Sequence, residues 1–426
     1  MLEWIKKGLK KTSNVKKSIY VWNTTAGILS ALQSVVILMV VSRTNGLYDA
    51  GVFSIAYAVA SLMIFIGQYG IRKYQASDVR ETFTFGEYYG QRLITCLMML
   101  AAILVYCAYG AMFKGYHTDK CIVVFFVCLL KLVQAMTDVF HGRLQQCGRL
   151  DIGAKSACAR IICSTGSCCI CLVLTHDLVI SSIVFAFFAF LLFMLTTVNV
   201  SRDYCTVRPQ FNREAMRKLF ITGFPLFVST FLSMYIGNAP KYAIDSYLSE
   251  EIQAYYNYIF MPVFAVQMLS NFIFNPILNT YAKIWVDHEF TKFRRAVRRQ
   301  MLAILGITVL GLAVAATIGI PILSLLFGSD LSDYKLALII VMAGGGALAY
   351  VTFFTTVITI IRHQNVLMVG YGVISLAALL LSKFFVTNYG IMGAATMYSI
   401  LMGALAAAFF ILMTWQIRTD IKYLEP

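Results

Sequence analysis

Few ionisable side chains interrupt the long apolar runs of this 426-residue chain, and those few are where chemistry is to be sought. Lys131 lies in the middle of one run, in Val127-Cys-Leu-Leu-Lys131-Leu-Val-Gln134. A charge at such a place is costly and is by default functional. It needs an anion, supplied either by a neighbouring helix as a packing ion pair or by a ligand. Asp138 and Arg160 stand almost symmetrically about a turn near Arg149. Antiparallel helices on either side of that turn would bring them to similar depth, so an ion pair between them is expected in preference to a proton relay. Lys241 and Asp245, with Asn238 one turn earlier, share a helical face near the end of another run. Arg43 closes the first run. Both places suit an ordinary interfacial charge as well as a ligand of an internal cavity.

Uncharged polar groups make a second pattern. Gln267, Asn271, Asn275 and Asn279 recur every four residues, which lines four amides along one slowly turning stripe. Amides facing lipid would lack partners, so the stripe must face other helices, as interhelical glue, or water in a cavity. Asn23, Ser30 and Ser34 form a similar face, as do Thr352, Thr355, Thr356 and Thr359. Hydroxyl faces are weaker signals, because a threonine can bond back to its own helix.

The elements that must position these groups are membrane spans. Hydrophobic residues make up 59% of the chain and charged ones 13%, about half the charged share of a soluble domain. A bilayer core takes about 20 apolar residues as helix. Such runs are expected at Ser18 to Val41, Tyr48 to Tyr69, Leu93 to Met112, Cys121 to Phe140, Gly153 to Thr175 and Leu178 to Val200. Six more follow, at Phe220 to Lys241, Tyr255 to Leu278, Met301 to Pro321, Leu336 to Ile361, Leu367 to Phe385 and Ile391 to Trp415. The fold class is thus all-α and polytopic, with about 12 transmembrane helices. The first run is preceded by lysines and is long enough to span, so it is expected to stay as a helix rather than to act as a cleaved signal.

The net charge of +15 is distributed by loop. Lysines 6, 7, 10, 11, 16 and 17 precede the first span, and alternate loops carry Arg72, Lys73, Arg80 and Arg92, then Arg143 to Arg160, then Arg202 to Lys218, then Lys283 to Arg299. The intervening loops are poor in basic residues. This alternation places both termini in the cytoplasm and argues against a nucleic-acid surface. The basic segment Arg202 to Lys218 divides the chain into 1–17, a basic interfacial N-terminus; 18–210, a six-helix half; and 211–426, a second six-helix half. Two halves of like orientation predict parallel repeats with substrate bound between them. Trp4, Ile5 and Leu9 among lysines, and Phe290, Phe293 and Val297 among arginines, read as interfacial anchors on membrane lipids. Pro225, Pro240, Pro262, Pro276 and Pro321 gather in or at the ends of helices seven to nine and mark the region expected to flex.

All eleven cysteines lie between Cys96 and Cys205, mostly within apolar runs. The CxxC of Cys168 and Cys171 sits mid-span without a second ligand pair, so packing is expected, and no metal or cofactor. No Gly-Lys pair occurs, which excludes a phosphate-binding loop of the ATP-driven pumps.

Three segments carry a family resemblance. Arg43-Thr-Asn-Gly-Leu-Tyr-Asp-Ala-Gly51 resembles a turn between helices one and two, and Gly142-Arg-Leu-Gln-Gln-Cys-Gly-Arg149 through Arg160 a loop between helices four and five. Gly223-Phe-Pro225, Asn238-Ala-Pro240-Lys241 through Asp245, and Phe260-Met-Pro262 resemble helices seven and eight. The family is the bacterial polysaccharide (Wzx-like) flippases of the multidrug/oligosaccharidyl-lipid/polysaccharide exporter superfamily. The resemblance implies two six-helix bundles around a central cavity open alternately to each side. It implies a cargo of undecaprenyl-pyrophosphate-linked oligosaccharide, moved from the inner to the outer leaflet of the cell membrane without catalysis.

Such a cargo needs cations for its pyrophosphate and amides for its sugars. Lys131, Lys241 and Arg43 are then candidate anion ligands, and Asn23, Gln267, Asn271 and Asn275 candidate sugar ligands. Transport would be coupled to an ion (H+ or Na+), to the substrate gradient or to partners such as polysaccharide assembly machinery. The alternatives are a multidrug or cation antiporter of the same superfamily and a membrane glycosyltransferase or polymerase. The second would need catalytic groups in a sizeable outer loop, and the outer loops are short.

Overall fold

The computed structural model describes residues 2–78, 81–274, 278–361 and 365–424, and among these nearly every residue is helical and none is in a strand. A short amphipathic helix α1 (Leu2–Lys10) precedes α2 (Val15–Thr44) and α3 (Leu47–Gln68). Next come α4 (Ile71–Ser77), α5 (Phe85–Phe113), α6 (Thr118–Gln146), α7 (Leu150–Thr175) and α8 (Leu178–Ser201). The second half holds α9 (Arg213–Tyr247), α10 (Glu250–Phe274), the short α11 (Leu278–Val286), α12 (Phe290–Phe327), α13 (Lys335–Ile360) and α14 (Asn365–Leu424).

Among the described residues, ten helices are long and apolar enough to cross a bilayer. The last of them, Val366–Thr419, has 54 residues. As a straight helix it would run about 81 Å, more than twice the ~30 Å of a bilayer core. It breaks at Gly390, whose φ of 53° and ψ of −131° are open only to glycine. A Cβ on Gly393 would run into the Phe385 carbonyl oxygen across that break, so a second glycine is needed for the close return. α14 is therefore two passes. α10, with 25 residues, is the twelfth, its acidic pair Glu250 and Glu251 confined to its first turn. A helix stands at each of the twelve expected runs, most of them extending several residues beyond the run, while the runs ending at Tyr69, Leu278 and Ile361 overshoot their helices.

Those extensions are set by polar caps. Asn14 accepts the Lys17 amide at 3.1 Å to begin α2, and Asp177 accepts that of Ile180 at 3.0 Å to begin α8. At α5, Thr84 and Glu87 form a reciprocal capping box. Just before it, Asp78 is buried, which works against ionisation. Amide bonds from Thr82 (2.9 Å) and Phe83 (3.1 Å) outweigh this and hold its carboxyl below the usual range.

The chain forms two compact units, residues 1–231 and 232–426, with the division inside α9. In the first unit α6 is the central helix, packed against α3, α5 and α8, while α2 and α8 flank α7. The second is built on α13, which packs against α10, α12 and both passes of α14. Two helices carry a π-helical turn, Phe193–Val198 in α8 and Ala315–Gly319 in α12, neither foreshadowed in the sequence. The proline-rich helices run on. α9 passes through Pro225 and Pro240, and α10 through Pro262, while Pro276 lies outside the described residues.

Of the two anchors expected on the membrane surface, the described side chains pack instead within the protein; those of Trp4 and Ile5 lie outside the described residues. Leu9 of α1 lies against Leu144, Ile152 and Val200. Phe290, Phe293 and Val297 are buried, with Trp285 of α11 edge-on to the Phe290 ring and tilted against that of Phe293. Around Phe290, Phe293 and Val297 the basic residues Lys292, Arg294, Arg295, Arg298 and Arg299 stay exposed.

Candidate functional site

The inner face of α6 holds a polar column built at helical spacing. Lys131, Gln134 and Asp138 fall on one side of the helix, and that side meets α3 and α5. Lys131 is only 6% exposed. Its Nζ donates to Tyr57 Oη of α3 at 3.1 Å and to Gln134 Oε1 at 3.3 Å, and sits 4.5 Å from the centre of the Tyr57 ring. A hydroxyl, an amide and a π face thus hold the ammonium. Among the described residues no carboxylate pairs with it.

Two turns further along α6, Asp138 accepts from two guanidinium groups. Arg72 Nη1 of α4 lies 3.1 Å from Oδ1 and Arg92 Nη2 of α5 lies 3.0 Å from Oδ2. Arg92 is fully buried and also donates to the Gly67 carbonyl at 2.6 Å. Thr95 adds a bond of 2.7 Å to the same oxygen. Gly67 is in the last turn of α3, where carbonyls lack helical partners and the helix dipole is negative. The network therefore joins four helices, α3, α4, α5 and α6.

The expected Asp138–Arg160 pair is not formed. α6 turns its Asp138 face to α4 and α5, where the nearer arginines take both carboxylate oxygens. Arg160 is 4% exposed and lies within electrostatic reach of Tyr57 and His141, with its Nε lacking a hydrogen-bond partner. Two buried cations, Lys131 and Arg160, thus lie within electrostatic reach of Tyr57. Neither has an acidic partner among the described residues.

The other candidates are dispersed. In the second unit, Lys241 of α9 is 5% exposed and its Nζ lies 4.5 Å from the Phe260 ring centre on α10. Asn238 bonds back to the Met234 carbonyl at 3.1 Å. Arg43 is exposed in the last turn of α2, and Asn23 is exposed on the same helix. Of the amide stripe, Gln267 is half-buried on α10, and Asn271 belongs to the same helix. Asn275 and the side chains of Asn271 and Asn279 lie outside the described residues. Thr352, Thr355, Thr356 and Thr359 all donate to carbonyls one turn back, at 2.7 to 3.0 Å, as hydroxyls on helices commonly do. All eleven cysteines are free thiols, and among the described residues no cluster of His, Cys, Asp or Glu could hold a metal.

Tyr57 and Arg92 were missed from the sequence. A tyrosine in an apolar run carries no signal of its own. Arg92 did carry one, since the Thr84–Glu87 capping box starts α5 at Phe85 and puts Arg92 two turns inside the helix.

Residues 16–280 match the family described as polysaccharide biosynthesis protein, well over half of the chain. The chain belongs to that family. Among its curated relatives is the capsular polysaccharide biosynthesis protein CapF of Staphylococcus aureus, 21% identical over 375 residues that cover 87% of this chain and 92% of the relative. Its fold is similar to that of the lipid II flippase MurJ in an inward closed conformation, with a TM-score of 0.68 at 15% identity, covering 91% of this chain and 87% of MurJ. It is similar also to an inward-facing multidrug resistance MATE family transporter of the MOP superfamily, with a TM-score of 0.67 at 12% identity and coverage of 93% and 96%. The chain is thus a multi-pass membrane protein that shares the fold of these two structures, and the polysaccharide family resembled in its sequence is the family it belongs to.

Proposed function

We propose that this protein is a flippase that carries an undecaprenyl-pyrophosphate-linked oligosaccharide from the inner to the outer leaflet by alternating access, and that Lys131 and Arg160, both within electrostatic reach of Tyr57, seat the pyrophosphate. The observation that carries this reading is the pair of buried cations without acidic partners among the described residues. Two such charges near one hydroxyl repel each other and favour a dianion, which a pyrophosphate supplies with several acceptor oxygens. Membership of the polysaccharide biosynthesis family supports the cargo class. The basic loops support a cell-membrane orientation with both termini in the cytoplasm. Lys241, Arg43, Asn23 and the amides of α10 are proposed as further contacts along the sugar path, and H+ or Na+ as the coupling ion.

Translocation of a fluorescent lipid-linked oligosaccharide in proteoliposomes tests the seat. A lost hydrogen bond to a charged group is worth about 1.5–3 kcal/mol, so Lys131→Ala should lower transport about 10- to 100-fold, with Lys131→Arg retaining part of it. Full activity of folded Lys131→Ala would remove Lys131 from the seat.

A further inference from the structure

The linker between α1 and α2 does not float above the membrane. It is clamped to the ends of α7 and α8. Lys6 and Lys10 pair with Asp203 at 3.1 and 2.6 Å. Lys155 of α7 donates to the carbonyls of Leu9 (3.1 Å) and Lys11 (2.9 Å) and to Thr12 Oγ1 (2.8 Å). Arg149 donates to the Lys10 carbonyl at 3.1 Å, and Thr12 to the buried Asp151 at 3.0 Å. Between the clamped linker and the first turns of α2 and α7 lies a cleft of about 890 Å³.

Its lining changes character along its length. On α2 one face runs from Asn14 through Lys17 and Ser18 to Val21 and Trp22, and on α7 one face runs from Lys155 through Cys158 to Ile162. The two helices lie in parallel register there, since Cys158 Sγ approaches the Trp22 carbonyl at 3.8 Å. Both walls therefore pass together from a basic mouth to an apolar interior. Lys11 and Lys17 are exposed at the mouth, and among the described residues neither is paired with a carboxylate. Among the described residues no acidic side chain lines the cleft. Val21 and Ile162, deeper in, are 46% and 56% exposed and offer apolar surface to an acyl chain.

We propose that this cleft binds one anionic phospholipid from the leaflet on the N-terminal side, its headgroup phosphate between Lys11 and Lys17 and an acyl chain against Val21, Trp22 and Ile162. Charge complementarity selects an anionic headgroup. The polarity gradient selects a lipid over a soluble phosphate, and the volume holds a headgroup with the start of its chains. The bound lipid would bridge α2, α7 and the clamped linker.

The test uses the purified full chain in nanodiscs of phosphatidylglycerol and phosphatidylethanolamine, with native mass spectrometry reading the lipid retained. Each lysine near a phosphate contributes about fivefold in affinity. Lys11→Gln with Lys17→Gln should therefore lower retained phosphatidylglycerol about 25-fold, and the control pair Lys7→Gln with Lys16→Gln should leave it unchanged. Ile162→Trp, which fills the interior while keeping both charges, should also expel it, and decides the matter if the double variant does not fold. Equal retention in parent and both cleft variants overturns the site. So does equal retention of phosphatidylethanolamine, or displacement by undecaprenyl pyrophosphate or inorganic phosphate at concentrations where added phosphatidylglycerol does not compete.

Discussion

Replacing Asp138 by Asn should destabilise the protein through Arg92 and hardly at all through Arg72. The carboxylate serves two guanidinium groups in unlike surroundings. The Arg92 side chain is 0% exposed and that of Arg72 is 35% exposed. Without the charge, Arg72 can turn to solvent, and an ion pair so exposed is worth about 0–1 kcal/mol. Arg92 cannot turn. It would keep only the Gly67 carbonyl as an acceptor, and breaking a buried pair from one side costs about 3–5 kcal/mol. On the scale of about 2–4 °C per kcal/mol for a unit of this size, the melting temperature should fall by roughly 6–20 °C. The assay is thermal unfolding in detergent of Asp138→Asn, Arg72→Gln and Arg92→Gln, extended to double-mutant cycles. Asp138 should couple strongly to Arg92, weakly to Arg72 and not to Arg160. A melting temperature within 2 °C of the parent for Asp138→Asn would refute the reasoning, as would coupling of Asp138 to Arg160 equal to that with Arg92.

Three other outcomes are expected. Single cysteines at Arg213 and Arg295 should label from the cytoplasmic side and those at Tyr116 and Ser329 from the other, in a background freed of reactive native thiols; Arg213 and Arg295 on opposite sides would break the topology. Hydrogen bonds first from Lys10 and then from Lys6 hold the Asp203 carboxyl below its usual range, so its contribution to docking of α1 is complete above the unfolded value of about 3.9 and is lost as pH falls through the lower folded value. Hydrogen exchange over Leu2–Lys10 should accordingly be slow near neutrality, rise below about pH 4, and rise with salt at pH 7 because the pair is partly exposed; a pH-independent rate would assign the docking to apolar contacts alone. Gly390→Ala should cost about 1–3 kcal/mol, from the backbone conformation that glycine alone adopts freely there, and an unchanged melting temperature would mean that the break in α14 relaxes.

What the sequence disclosed follows from which interactions are local. The spans were legible because hydrocarbon thickness imposes a run length on each helix, and the break at Gly390 fell in the gap between two runs. Helix starts were legible only where a cap is spelled out, and Thr84–Glu87 was passed over because the apolar run begins at Leu93. The cations were visible as charges in apolar runs, but their partners depend on how helices rotate against neighbours. Asp138 and Arg160 lie at comparable distances from the turn at Arg149, yet α6 packs mainly on α3 and α5, and α7 on α2 and α8. Symmetry about a turn fixes depth and leaves direction free. For the same reason Phe290 and Phe293, read as lipid anchors, lie beneath Trp285 of α11, a contact that hydropathy along one helix cannot show.

The way Lys131 is held bears on the proposed transport. A lysine in the middle of a span could be neutralised once and for all by a carboxylate, as Asp138 neutralises Arg92. Such a pair is well suited to stapling helices and poorly suited to a cargo site, because an incoming phosphate would have to displace a tethered anion at close range. Tyr57 and Gln134 offer less. Their neutral oxygens and the ring face make burial of the ammonium tolerable, each bond being weaker than one to a carboxylate, and the charge stays uncancelled. A pyrophosphate can then bind by adding its charge and leave without stranding a bare cation, as a carrier of a lipid-linked anion requires. Substituting Tyr57 separates these two parts. Tyr57→Phe keeps the ring and removes the hydroxyl, so it should leave the melting temperature within a few degrees of the parent. Cargo should then be held more tightly and released more slowly, because the ammonium has lost its resting acceptor. Single-turnover release in proteoliposomes reads that rate, and a Tyr57→Phe protein that binds more weakly would show that the hydroxyl contacts the cargo itself.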